Sequence, residues 1–92
     1  MSNAKFPLGQ LVATPGALEA LEDSGQTPSD FLSRHMQSDW GQVCGEDWQL
    51  NDEALKDESR ILSAYTTLKC VKIWIITEAD RSVTTILLPD EY

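Results

Sequence analysis

The chain has one histidine, two cysteines and seven basic residues against fifteen acidic ones, a formal charge of −8 over 92 positions. A lone histidine excludes a paired-histidine metal motif and leaves His35 as the one imidazole for Ser-His-Asp or Cys-His chemistry. The sequence also lacks a glycine-rich phosphate loop and a G-x-S-x-G nucleophile elbow. Cys44 and Cys70 form neither a C-x-x-C motif nor a disulfide framework. They are expected to be free thiols in a reducing cytoplasm, the alternative being one long-range disulfide in an exported chain. No apolar run approaches the roughly 20 residues that span a bilayer, and no basic segment precedes an apolar core as in a secretory signal. A cytoplasmic protein with no membrane contact is therefore expected. Seven scattered Lys and Arg argue against direct DNA or RNA binding, which needs clustered cations.

What is present is an ordinary globular composition, 41% hydrophobic and 24% charged. Met1-Ser2-Asn3-Ala4 resembles the remnant of expression-tag cleavage, and residues 5–92 read as a single domain. Helix punctuation fills the first half. Thr14-Pro15 supplies an N-cap and a first-turn proline, and Gly25 a stop. Thr27-Pro28-Ser29-Asp30 repeats the start with a capping-box spacing, followed by Phe31, Leu32, His35 and Met36 on one helical face. A further helix is expected from Glu46 to Asp57. Gln10–Ala13 is either an edge strand or an extended lead-in.

From Arg60 the period changes to two, predicting strands over 61–67, 71–77 and 83–88 joined by short connections. The expected fold is α+β: short N-terminal helices packed on a C-terminal three- to four-stranded antiparallel meander. Val71, Ile73, Ile75 and Thr77 form the cleaner core face. Trp74 and Ile76 lie on the other, and Trp74 is expected to be covered by the chain or by a second copy, as in a homodimer through the sheet.

Charge is not spread evenly. Residues 39–58 hold seven acids against Lys56, net −6, while residues 59–92 balance four acids with four bases. The Glu46/Asp47 and Asp52/Glu53 pairs lack the alternating spacing of a calcium loop, so no metal or cofactor is expected. Trp40 and Trp48 either anchor this central segment or mark a contact surface.

The strings Ala13-Thr14-Pro15-Gly16-Ala17-Leu18-Glu19-Ala20-Leu21, Arg34-His35, Asp39-Trp40-Gly41, 74–82 and Thr84-Thr85-Ile86-Leu87-Leu88-Pro89 resemble a family of short bacterial proteins carried on plasmids and other mobile elements. Some members are labelled type I restriction enzyme subunit M. A methyltransferase needs a large cofactor-binding α/β domain, which a chain of this length lacks. Members of that family tend to have glycine where this chain has Cys70, so the resemblance implies a strained or differently shaped turn here. The resemblance implies a genetic context and no activity.

Two functions follow as expectations. The preferred one is a non-enzymatic accessory or interaction protein of a mobile element. It would offer Trp40, Asp47, Trp48, Asp52 and Glu53 to a protein partner, the acidic surface favouring a basic one. The alternative is a small ribonuclease-like or toxin-like domain, by analogy of fold order. There His35 would be the acid/base, Arg81 would stabilise the phosphate, and Thr84 or Thr85 would orient it. Against it stand a half-buried structural histidine and a solvated hairpin turn around Asp80 and Arg81.

Overall fold

Thr14 caps the first helix as its sequence requires. Its hydroxyl accepts from the Ala17 N–H at 3.2 Å, and α1 runs over Pro15–Asp23 until Gly25 turns the chain at φ +68°. At α2, Pro28–Met36, the Asp30 carboxylate accepts from the Thr27 N–H at 2.9 Å. α3 spans Gly45–Asp57 and ends on Glu58, a left-handed residue at φ +58°. The structure, a computed structural model, describes residues 6–92, so the proposed tag remnant at 1–4 lies outside the described residues. No described helix is long and apolar enough to cross a membrane.

Four strands form one sheet in the order β1-β4-β3-β2: β1 is Gln10–Ala13, β2 Ile61–Thr66, β3 Lys72–Thr77 and β4 Val83–Leu87. The meander of β2, β3 and β4 is antiparallel, as its short connections demand. The sheet as a whole is mixed, which corrects the expected antiparallel order of helices first and strands after. β1 precedes the helices and pairs parallel to β4. The three helices and the meander between them give the long return that a parallel pair requires. Gly9 makes the approach possible: at φ +66° its Cα lies so close to β4 that a Cβ would sit 2.3 Å from the Ser82 carbonyl oxygen.

The helices cover one face of the sheet. Ala17, Leu21, Phe31, Leu32, Tyr65, Ile73, Ile75 and Ile86 form one buried cluster beneath α1 and α2. Phe6, Trp40, Ala54 and Ile61 form a second, next to α3. Across the sheet, the C-terminal turn folds back so that Tyr92 meets Trp74 edge-on at 5.8 Å, with the Arg60 guanidinium over the Tyr92 ring at 5.4 Å. Trp74 is half-buried there and Ile76 buried. At the tip of the β2–β3 hairpin Cys70 takes φ +64°, a conformation that suits glycine.

Candidate functional site

Three polar residues interrupt the apolar core face: Thr77 on β3 and Thr84 on β4 are register partners, and Ser63 on β2 lies diagonally from Thr77, opposite Ile75. They separate the two apolar clusters, and His35 of α2 reaches down onto them. Its Nδ1 meets the Ser63 hydroxyl at 2.5 Å and its Nε2 the Thr77 hydroxyl at 2.9 Å. Thr77 Oγ1 lies 2.8 Å from Thr84 Oγ1, and Thr84 donates to the Leu8 carbonyl at 2.7 Å.

That carbonyl can only accept, so it sets the direction of the whole chain. Thr84 spends its proton on Leu8 and must accept from Thr77; Thr77 must then accept from His35 Nε2–H. Nδ1 is left as the acceptor for Ser63 O–H. With burial holding the ring neutral, His35 is an Nε2–H imidazole. Burial, followed by the charge of Arg81, lowers its pKa from 6.5 to about 3.

Every member of this row is 0% exposed apart from Leu8, which is half-buried. The Phe6 ring stands edge-on to the imidazole at 5.2 Å and the Trp40 ring at 5.7 Å. A general acid or base must reach the proton it transfers, and both His35 nitrogens reach only core hydroxyls. The geometry assigns His35 to the framework.

Arg81 has a comparable commitment. Its guanidinium donates to the carbonyls of Ser59 at 2.6 Å and Ala54 at 2.8 Å, and more weakly to Glu78 and Ala79. Ala54 lies in the last turn of α3, whose terminal residues include Asp57 and Glu58. A cation there offsets both the helix dipole and its unfavourable acidic end. Arg81 also lies over the Phe6 ring at 5.7 Å, so Phe6 packs against both Arg81 and His35. The Asp80 carboxylate closes a local turn by accepting from the Ser82 N–H and hydroxyl. Thr85 sits on the face opposite Thr84, because neighbours along a strand alternate. The four residues expected to share a phosphate therefore share no open cleft.

Of the contact residues, Trp40 is fully buried, its indole N–H donating to Asp52 Oδ1 at 3.0 Å. It cannot meet a partner, and the expectation that it does is corrected: its ring fills the cluster beneath α3. Trp48 is half-buried against that cluster. Asp47, Asp52 and Glu53 are exposed, as are Glu46, Asp57 and Glu58 on the same helix, with Lys56 among them. Asp39 belongs elsewhere, paired with Arg34 at 2.8 Å, which holds its carboxyl below the usual range.

Sequence patterning missed Leu50, which stands 57% exposed among these acids. Beside it a cleft of about 220 Å³ is lined by Asp47, Leu50, Asn51, Arg60 and Leu62. Within its lining the Asn51 amide brackets the Leu62 backbone, donating to the carbonyl at 2.7 Å and accepting from the N–H at 3.2 Å. An asparagine on the apolar side of a helix was the available signal. Ser63 and Thr77 had one too: they occupy core-facing registers on their strands, where a polar side chain needs a partner.

No protein-family model, curated protein or solved structure matches the chain. Among the described residues, no group of three His, Cys, Asp or Glu side chains could hold a metal ion.

Proposed function

We propose that the protein is a non-enzymatic interaction module whose α3 surface receives a basic protein partner. The observation that carries this reading is Leu50, an apolar side chain exposed in the middle of an acidic helix face and beside a formed cleft. A lone exposed leucine is ordinary on a protein surface, but this one lines a formed cleft with carboxylates around it. In an interface, an apolar anchor supplies affinity while the surrounding charges steer and select the partner. A partner would set a Lys or Arg against Asp47 or Glu53, each three positions from Leu50, and an apolar side chain against Leu50 itself. Asp52 lies round the helix and accepts from the Trp40 indole.

The resemblance to proteins of plasmids and mobile elements supports an accessory role in such an element. The two exposed, unpaired cysteines, Cys44 and Cys70, suit a reducing cytoplasm.

The test is affinity capture from the bacterial host with the wild-type protein, Leu50→Glu, and a charge-reversed Asp47→Lys/Glu53→Lys protein. The expected partner binds the wild type, weakens as salt is raised, and is lost from both variants. A partner held equally by all three proteins would refute the assignment of α3.

A further inference from the structure

The two edges of the sheet are finished differently. Along β2 the outward backbone is satisfied at Leu62 and Ala64: Ala64 N–H donates to the Trp40 carbonyl at 3.1 Å, its carbonyl accepts from Gln42 N–H at 2.6 Å, and Asn51 takes both groups of Leu62. Along β1 it is open. Gln10 N–H and Thr14 N–H bond the Ser82 and Ile86 carbonyls of the β4 side at 2.9 Å each. Alternation then turns the N–H and C=O of Leu11 and Ala13 outward, where no described residue receives them. The strand contains neither lysine nor proline, the usual protections of an open edge.

Beneath that edge runs an apolar groove of about 160 Å³, lined by Leu11, Val12 and Ala13, by Pro28 and Leu32 of α2, and by Ile86. Leu11 is 53% and Val12 42% exposed. Open backbone beside a groove for alternate side chains is what an added strand needs.

We propose that the added strand is β1 of a second copy, joined antiparallel about a two-fold axis at Val12 to make one continuous eight-stranded sheet. In this register Leu11 faces Ala13 of the partner subunit and Ala13 faces Leu11 of the partner subunit. Each pair exchanges both backbone bonds. The register also sets a large side chain against a small one: each leucine lies over the other copy's alanine, at the mouth of the groove formed by Pro28 and Leu32. Val12 opposes its own copy on the far face as a non-hydrogen-bonded pair.

Charge favours this occupant and this edge. In a protein of net charge −8, neither β1 nor any residue lining the groove is ionisable. The acidic α3 packs beside β2, at the far side of the sheet. Pairing through β1 therefore leaves the two β2 edges that carry the acidic helices about 33 Å apart, seven strand spacings and several Debye lengths at physiological salt. The junction is short, so the dimer is weak and concentration-dependent.

Sedimentation velocity from micromolar to millimolar protein tests the proposal. The wild type should shift towards twice the monomer mass as concentration rises. Leu11→Lys and Leu11→Glu should both remain monomeric with unchanged circular dichroism, since loss with either sign points to the fit rather than the net charge. Leu68→Lys, at the exposed tip of the β2–β3 hairpin, should dimerise like the wild type. In a Cys44→Ser/Cys70→Ser background, Val12→Cys should form a disulfide-linked dimer on mild oxidation and Leu11→Cys should not. A wild type that stays monomeric throughout, a dimer untouched by the Leu11 variants, or a Val12→Cys protein that fails to cross-link would each overturn it.

Discussion

Replacing His35 by glutamine removes a titrating ring while keeping one donor and one acceptor for Thr77 and Ser63. In the wild type, the buried imidazole has a pKa near 3 against 6.5 when exposed. Because the folded value is depressed, the unfolded chain takes up the proton first. The stability tied to a neutral His35 is complete above pH 6.5 and is lost as pH falls from there towards about 3. Each pH unit within that window is about 1.36 kcal/mol, so near pH 4 the loss from this one residue is about 3 kcal/mol. That is a large share of the roughly 5–15 kcal/mol that holds a domain together. Glutamine fills less of the space between Phe6 and Trp40, so the variant should be less stable at pH 7 by about 1–3 kcal/mol. As pH falls the two stabilities should converge and then cross.

The assay is urea unfolding followed by tryptophan fluorescence at stepped pH, comparing the difference between the two proteins. Carboxylates such as Asp39, Asp80 and Glu91, whose pKa values are also lowered, titrate in both proteins and cancel in that difference. A gap that stays constant from pH 7 to pH 4 would refute the neutral, buried assignment. So would a His35 ring that titrates near 6.5 in the folded protein by NMR.

Three further outcomes are expected from urea unfolding at pH 7. Glu58→Gly and Cys70→Gly each relieve a left-handed non-glycine residue and should raise stability by up to about 1 kcal/mol, with no change in fold. Gly41→Ala should destabilise by at least about 3 kcal/mol. Its Cβ would lie 2.0 Å from the Ala64 carbonyl oxygen on a backbone at φ +76°, so the bridge to β2 must open. Asn51→Leu leaves both backbone groups of Leu62 without a partner and should cost about 1–3 kcal/mol, with amide exchange accelerating first at Leu62.

The caps at Thr14 and Asp30 could be read from order along the chain because each hydrogen bond closes within three residues. The β2–β3–β4 meander could be read for a similar reason: short connections leave antiparallel pairing as the available geometry. The α3 acids were legible as a solvated surface, since nothing near them in sequence could neutralise six carboxylates. Leu50 was not, because exposure of one leucine on a helix depends on where the neighbouring strand ends. Arg81 read as part of a solvated hairpin turn, and its tie to the end of α3 was not legible. Its partners, the carbonyls of Ala54 and Ser59, lie more than twenty positions away.

The sequence by itself determined where helices start, which strand faces are apolar and where the charge collects, because those properties are set by residues a few positions apart. Tertiary structure alone decided that β1 pairs parallel to a strand some seventy residues later, and that Trp40 is buried. It also decided that the one histidine is a neutral link in a row of hydroxyls. Each of these depends on register across strands distant in sequence. A buried polar atom takes whichever partner that register brings within hydrogen-bond distance. For His35 that partner set, rather than the imidazole itself, determines the role.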